Sequence, residues 1–160
     1  MNDIIFKKIG IIHTPYDTIE GMPIQPSGAI GVRGTIELLP DYTEALVDLD
    51  GFSHIILLYH FHKSLTFSLS VVPFLDDKAH GVFATRAPKR PNQIGLSIVE
   101  LERVEDNIVH IINVDILDNT PLLDIKPYVK EFDYYEPSRS GWLERGSYSV
   151  NSRRSDERFK

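Results

Sequence analysis

One loop of the sequence has the residue types of an anion-binding site. In residues 86–92, two prolines flank Lys89 and Arg90, and the loop begins at Arg86 and ends at an asparagine. Proline fixes φ and restricts the residue before it, so the loop can hold arginine side chains at a low entropic cost. A guanidinium group binds carboxylates and phosphates through paired hydrogen bonds. We therefore predict an anion-binding loop; the alternative is a rigid turn whose cations are only solvated.

A second segment, residues 115–128, places acidic residues in an apolar setting. Asp115, Asp118 and Asp124 stand with Lys126 among isoleucines and leucines. A buried carboxylate needs a partner, or it takes up a proton. The segment predicts carboxylates that hold a ligand. For Asp118 and Asp124 a structural role, as a turn cap and as the partner of Lys126, is an equally good interpretation.

A metal site is not predicted. His60 and His62 would face the same side of a strand, as two ligands can. A metal ion needs at least a third ligand, and no neighbouring histidine or carboxylate has a suitable spacing. A packed histidine, or one that hydrogen-bonds a ligand, is the better interpretation.

Composition limits the classes of protein to consider. The chain has 160 residues, 42% hydrophobic, which suits one domain with a real core. It has no cysteine, no apolar run long enough to span a membrane and no signal peptide, so we expect a cytoplasmic location. The net charge of −6 argues against broad binding of DNA or RNA but leaves room for a local basic patch.

The elements that must position these residues are short strands. Apolar, β-branched runs separated by turn residues predict an antiparallel sheet or barrel. Residues 42–49 predict one short helix, and residues 106–107 a hairpin turn. No glycine-rich turn follows the first strand, so a dinucleotide-binding fold loses its support. The predicted strands are residues 4–13, 29–39, 54–62, 69–74, 80–86, 96–104 and 108–116.

Five blocks together resemble the TsaA-like, or TrmO, family. They are PIQPSGAIGVRGTIEL, HIILLYHFHKS, GVFATRAPKRPNQIGLS, DILDNTPLLDIKPY and RSGWLE, in order over roughly residues 5–145. The resemblance implies a mainly β fold: a small antiparallel β-barrel with one or two short helices, distinct from Rossmann methyltransferases. It predicts a barrel domain over residues 1–145, followed by a tail or arm over 146–160. Asn119 stands where many members have glycine, and asparagine also tolerates a positive φ.

The resemblance also implies an activity and a site. Members transfer a methyl group from S-adenosylmethionine to the exocyclic nitrogen of N(6)-threonylcarbamoyladenosine, beside the anticodon of tRNA, and are described as homodimers. We expect a transient tRNA complex, and no membrane or DNA partner. Asp124, Lys126 and Tyr128 are weak candidates for catalysis, and Lys89, Arg90 and Arg139 for RNA contacts. The implied cofactor contacts are Pro23, Ile24, Gln25, His62, Lys63, Arg86, Leu96, Asp115, Ile116, Leu117 and Asp118.

Two other functions stay open. The acidic charge is compatible with a module that binds S-adenosylmethionine as a sensor or regulator without catalysis. A methyltransferase that acts on a small molecule is the second alternative.

Overall fold

Six antiparallel strands close into a barrel, and two more form a small separate sheet. The structure is a computed structural model and describes residues 3–136, 138–145 and 151–159. The strands are β1 (Gly10–His13), β2 (Arg33–Leu38), β3 (His54–His60), β4 (Ser70–Val71), β5 (His80–Gly81), β6 (Ile94–Glu105), β7 (Ile108–Ile112) and β8 (Thr120–Pro127). One short helix, α1 (Lys130–Asp133), follows β8.

The barrel order is β1-β2-β7-β6-β3-β8, and β8 pairs back onto β1. Every pairing is antiparallel, and the closing register joins Gly10 to Leu122 and Ile12 to Thr120. Closure removes the free edges that an open sheet would expose. The predicted mainly β, antiparallel barrel is thus confirmed.

Alternation of side chains along the strands fills the barrel. In β3 every second residue is buried, with Ile55 and Leu57 fully enclosed. Ile12 and Ile36 enter the same core from β1 and β2, and Ile111 from β7. Burying each such side chain stabilises the fold by about 1.5–3 kcal/mol relative to leaving it in water.

Several predicted elements differ from the observed ones. The run 4–13 forms a strand only from Gly10, because β8 and β2 pair only with the stretch that starts there. The run 80–86 pairs with β4 over two residues and continues as a 3-10 helix, Val82–Ala84. The predicted helix at 42–49 is replaced by 3-10 helices at Pro40–Leu46 and Leu49–Gly51. The predicted hairpin turn is present between β6 and β7, with Asp106 at a φ of 51°.

Residues 151–159, here called the C-terminal arm, pack on the barrel domain. Ser155 exchanges backbone hydrogen bonds with Gly21 and Met22, at 2.9 and 2.8 Å. Phe159 is 5% exposed and lies in a small apolar cluster with Val82 and Ala87. Residues 146–150 and 160 of the predicted tail lie outside the described residues. Within the described parts of the chain, no helix is long and apolar enough to cross a bilayer.

Candidate functional site

A large open cavity lies at one end of the barrel. It has a volume of about 960 Å³. Its walls come from the end of β3, the start of β6 and the residues after β7, which the antiparallel register brings to the same end. The loops at 23–27, 61–64, 73–75 and 83–90, together with the C-terminal arm, complete it. The cavity is therefore formed by the ends of the strands and the loops that follow them, a usual place for a ligand site in a barrel.

The proline-flanked loop is held by its own backbone groups. The Arg90 guanidinium donates to the carbonyl oxygens of Thr85 and Ala87, at 3.0 and 3.3 Å. The Ser64 hydroxyl donates to the carbonyl of Pro88 at 3.1 Å. Arg86 is left exposed at the cavity wall and donates to the Gln25 side-chain oxygen at 2.9 Å. The loop thus presents the Arg86 guanidinium group on a braced backbone, and its binding of an anion stays a prediction.

A half-buried carboxylate faces the same cavity. Asp115 accepts a hydrogen bond from the Ser97 hydroxyl at 2.6 Å. Burial raises the pKa of Asp115 to about 6, against the lowering effects of the Ser97 hydrogen bond, its own backbone N–H and the charge of Arg86. Among the described residues that line the cavity, Asp115 is the only carboxylate, whereas Lys63, Arg86 and Arg90 are cations.

His62 lies beside the start of β8. Its Nδ1 is 3.4 Å from the Thr120 hydroxyl, which donates to the carbonyl of Leu117 at 2.6 Å. Burial, with further contributions from the charges of Lys63 and His60, lowers the pKa of His62. His62 is therefore neutral near pH 7 and suits a hydrogen-bonding role better than that of a charge.

Aromatic residues form the outer wall. The Trp142 indole N–H donates to the carbonyl of Ala84 at 2.8 Å, and its ring stacks on His80 with centroids 4.6 Å apart. Phe83, next to Ala84, is 77% exposed and also lines the cavity. This wall can accept a planar ring by stacking.

Most of the residues implied as cofactor contacts come together here. Asp118 does not line the cavity; it accepts hydrogen bonds from the Thr14 backbone at 3.0 Å and the Asn119 amide at 2.7 Å. It thereby fixes the turn before β8, in which Asn119 has a φ of 60°. The ten that do line the cavity are Pro23, Ile24, Gln25, His62, Lys63, Arg86, Leu96, Asp115, Ile116 and Leu117.

The candidate catalytic residues lie elsewhere. Asp124 and Lys126 form an ion pair at 2.7 Å, and Asp124 borders a second, smaller hollow of about 330 Å³. Tyr128 sits edge-on to His54, with ring centroids 6.2 Å apart. None of the three lines the large cavity.

The candidate RNA contacts are divided in the same way. Arg90 lines the large cavity, whereas Lys89 and Arg139 do not. Arg139 is exposed on the segment that leads to Trp142. The described residues contain no group of three histidine or acidic side chains placed to hold a metal ion. That no metal is bound stays a prediction.

Several residues at the site had no role predicted from the sequence, among them Tyr59, Ser97, Trp142 and Ser155. Tyr59 and Ser97 look like ordinary strand residues, and the arm residue Ser155 lies far along the chain from the loops it meets. Trp142 belongs to the RSGWLE block that resembles the family, but no role was predicted for it. The feature that marks Tyr59 is the glycine opposite it, Gly95. This pairing is known only once the β3–β6 register is known.

Comparison with known proteins adds to this geometry. Residues 11–134 match the profile of the tRNA-methyltransferase O N-terminal domain. The chain belongs to this family. A relative in Pyrococcus abyssi, named a probable S-adenosyl-L-methionine-binding protein, is 51% identical over 98% of this chain and 85% of its own length. A putative S-adenosylmethionine-dependent methyltransferase of Pseudomonas aeruginosa is 44% identical over 83% of this chain and 60% of its own.

Longer members of the family share the same domain. The tRNA (adenine(37)-N6)-methyltransferase of Mus musculus is 37% identical over 82% of this chain, but the match spans only 32% of the mouse protein. The crystal structure of TrmO from Pseudomonas aeruginosa superposes with a TM-score of 0.74 at 39% identity. That superposition covers 88% of this chain and 62% of the other. The fold is thus that of the TrmO structures, and the chain spans about a third of the mouse protein's length.

Proposed function

We propose that the protein is an S-adenosylmethionine-dependent methyltransferase of tRNA. Its acceptor is the exocyclic nitrogen of N(6)-threonylcarbamoyladenosine, beside the anticodon. The observation that carries the proposal is the pairing, in one cavity, of the Arg86–Gln25 contact with the half-buried carboxylate of Asp115. Family membership and the names of the relatives support the same activity.

The charges and size of the cavity fit the proposed cofactor. S-adenosylmethionine carries a carboxylate, an ammonium group and a sulfonium group, which call for opposite charges within one site. Arg86 can bind the carboxylate through its fork, while Asp115 faces the cationic part. Leu96 and Ile98 add an apolar surface for the adenine ring, and the volume of about 960 Å³ lies within the ~300–1,000 Å³ usual for ligand pockets.

The protein's contribution to the reaction is mainly alignment. When bound, S-adenosylmethionine supplies a methyl group that is already activated by the sulfonium charge. The rigid loop that carries Arg86 and the hydrogen bond that holds Asp115 fix the charged groups of the cofactor's methionine part, which converts binding energy into orientation. The acceptor nitrogen is amide-like and would benefit from loss of its proton. The sequence-based candidates for that proton transfer are Asp124, Lys126 and Tyr128. They lie outside the cavity, so their role stays a prediction.

The cations at the cavity suit an RNA ligand. Lys63, Arg86 and Arg90 line the cavity of a chain whose net charge is −6, so positive charge is concentrated where the acceptor must enter. Arg139 is exposed and precedes Trp142, which lines the same cavity, by three residues. Arginine and lysine contacts to phosphates supply most of the affinity of such complexes.

The test uses two preparations of tRNA that differ only in the threonylcarbamoyl modification. The full chain is mixed with S-adenosylmethionine labelled in its methyl group, and transfer to each tRNA is counted. We expect label only in the modified tRNA, on its adenosine beside the anticodon. Cofactor binding without transfer to either tRNA would refute the proposed reaction.

A second candidate is a binding module without catalysis. It is favoured by the 51% identity to a relative that is named only as a binding protein. Binding of the cofactor, with no label transferred to cellular RNA or to an RNA-free extract, would support it. Label in the RNA-free extract alone would instead indicate a small-molecule or protein acceptor.

The assembly and location belong to the same proposal. A homodimer rests on the sequence resemblance, a cytoplasmic location on the composition, and the expectation of no DNA partner on the net charge of −6. Light scattering on the purified full chain checks the dimer directly, with a mass near twice 18.2 kDa as the expected result.

A further inference from the structure

A chain of buried hydroxyl groups leads to Asp115. The Tyr59 hydroxyl lies 3.0 Å from the Ser97 hydroxyl, which donates to Asp115 at 2.6 Å. Tyr59 is 5% exposed and Ser97 1% exposed. The two residues belong to neighbouring strands, β3 and β6, and point to the same face because the register pairs Tyr59 with the residue two before Ser97.

The direction of this chain follows from counting protons. A serine hydroxyl has one proton to donate. When Ser97 gives that proton to an ionised Asp115, it can only accept from Tyr59, so Tyr59 donates. Both hydroxyl groups therefore point their protons toward the carboxylate, and both favour its charged form.

Tyr59 is held firmly in this position. Its ring meets Phe61 edge-on, with centroids 5.4 Å apart. Gly95 lies against the ring so closely that a Cβ added there would be 2.2 Å from a ring carbon. The ring can occupy this position because residue 95 of the opposite strand has no side chain.

We infer that Tyr59 and Ser97 are positioning residues that keep Asp115 charged and directed at the cavity, where it selects S-adenosylmethionine over its demethylated product. The inference rests on the proposed function. The product, S-adenosylhomocysteine, has lost the methyl group and with it the sulfonium charge, and is otherwise the same. A fixed anion beside the sulfur would therefore bind the donor more tightly and release the product.

Burial raises the pKa of Asp115 against the lowering effect of the Arg86 charge, and burial together with the charge of Asp115 raises the pKa of Tyr59 and Tyr16. The other titratable or cationic groups described on the cavity wall are His62, Lys63 and Arg90. Burial raises the pKa of Tyr59 further above its usual range, so this phenol stays protonated as a donor. The selective charge is thus present above the pKa of Asp115 and lost as pH falls through it.

Calorimetric titration of the full chain with each compound, from pH 5 to pH 8, tests the inference. For the wild type, we expect the affinity for S-adenosylmethionine divided by the affinity for S-adenosylhomocysteine to decrease when the pH is lowered through about 6, because Asp115 becomes protonated there. Asp115→Asn should lower the ratio about tenfold or more at pH 8, because an ion pair in a partly dry site is lost. Equal weakening of both compounds would mean that Asp115 contacts a group common to the two, and would overturn the inference.

The serine variant separates positioning from simple structure. Ser97→Ala removes the hydrogen bond that favours the charged carboxylate, so the pH at which selectivity is lost should move upward. Ser97→Thr keeps a hydroxyl and should restore the wild-type midpoint. Tyr59→Phe should shift the midpoint less, in the same direction, and Tyr42→Phe, a partly buried tyrosine outside the cavity, should not shift it.

The outcomes distinguish this inference from the proposed function. An unchanged midpoint in folded Ser97→Ala would overturn the positioning role alone. If the wild type prefers S-adenosylmethionine over S-adenosylhomocysteine but transfers no methyl group to tRNA, the proposed reaction alone would be overturned. Failure of the wild type to bind either compound at any pH would overturn both. Thermal unfolding of each variant establishes that it is folded.

Discussion

Replacing Gly95 with alanine tests the packing that supports Asp115. The added Cβ would lie 2.2, 2.5 and 2.8 Å from three ring carbons of Tyr59, all well inside normal contact. The ring is 5% exposed and is tied to Ser97 at its hydroxyl end, so it cannot move without breaking that bond.

The magnitude follows from three contributions. Overpacking of a buried site costs about 1–3 kcal/mol. Loss of the Tyr59–Ser97 hydrogen bond adds about 0.5–1.5 kcal/mol. The smaller entropy of the unfolded alanine chain offsets about 0.4–1 kcal/mol. We expect Gly95→Ala to lower the free energy of unfolding by about 2 kcal/mol, equivalent to a drop of about 4–8 °C in Tm for a domain of this size.

Urea unfolding followed by circular dichroism measures this change. The matched control is Gly51→Ala, because a Cβ at that position meets no atom within 4 Å. In a Tyr59→Leu background the alanine should cost at least about 1 kcal/mol less, since the clash is with the ring itself. Equal stability of Gly95→Ala and Gly51→Ala, or strict additivity with Tyr59→Leu, would refute the packing argument.

Three further changes test other parts of the site. Phe159→Ala should release the C-terminal arm and speed its proteolysis at least about tenfold, since a buried phenylalanine is truncated; Phe132→Ala, at a residue 71% exposed, should not. Arg86→Lys should weaken cofactor binding about tenfold in calorimetry, because the bidentate fork is lost, whereas Arg33→Lys, whose side chain is 70% exposed, should leave binding unchanged. Asp124→Asn should keep cofactor affinity within about twofold, as it borders the second hollow; a tenfold loss would contradict that separation.

The chemistry of the site was readable from residue types wherever one segment held the whole signal. Two prolines and two arginines within residues 86–92 predict a rigid cationic loop because φ is fixed locally, and the structure has Arg86 exposed on a braced backbone. The continuous apolar run of residues 54–62 likewise predicts a buried strand without any knowledge of its neighbours, and in β3 every second residue is buried.

Where the signal was divided between segments, the sequence left the choice open. For Asp118 the sequence left a turn cap and a ligand contact equally open; in the structure Asp118 accepts the backbone N–H of Thr14, whereas Asp115 lines the cavity and accepts from Ser97 behind it. Residues 115–128 were predicted to place carboxylates around a ligand, yet residues 120–127 of that segment form β8, the strand that closes the barrel. Pairing with β1 and β3 decides this, since strand partners more than sixty residues away leave no local pattern.

The sequence by itself therefore determined the β class, the family resemblance and the cationic loop, because composition, periodicity and proline act over a few residues. Only the tertiary structure decided which acid faces the cavity, that Tyr59 and Ser97 brace it, and that residues 151–159 fold back against the loop at 21–23. These depend on register and on contacts between distant segments. Burial then gives Asp115 a pKa that its sequence neighbours alone could not predict.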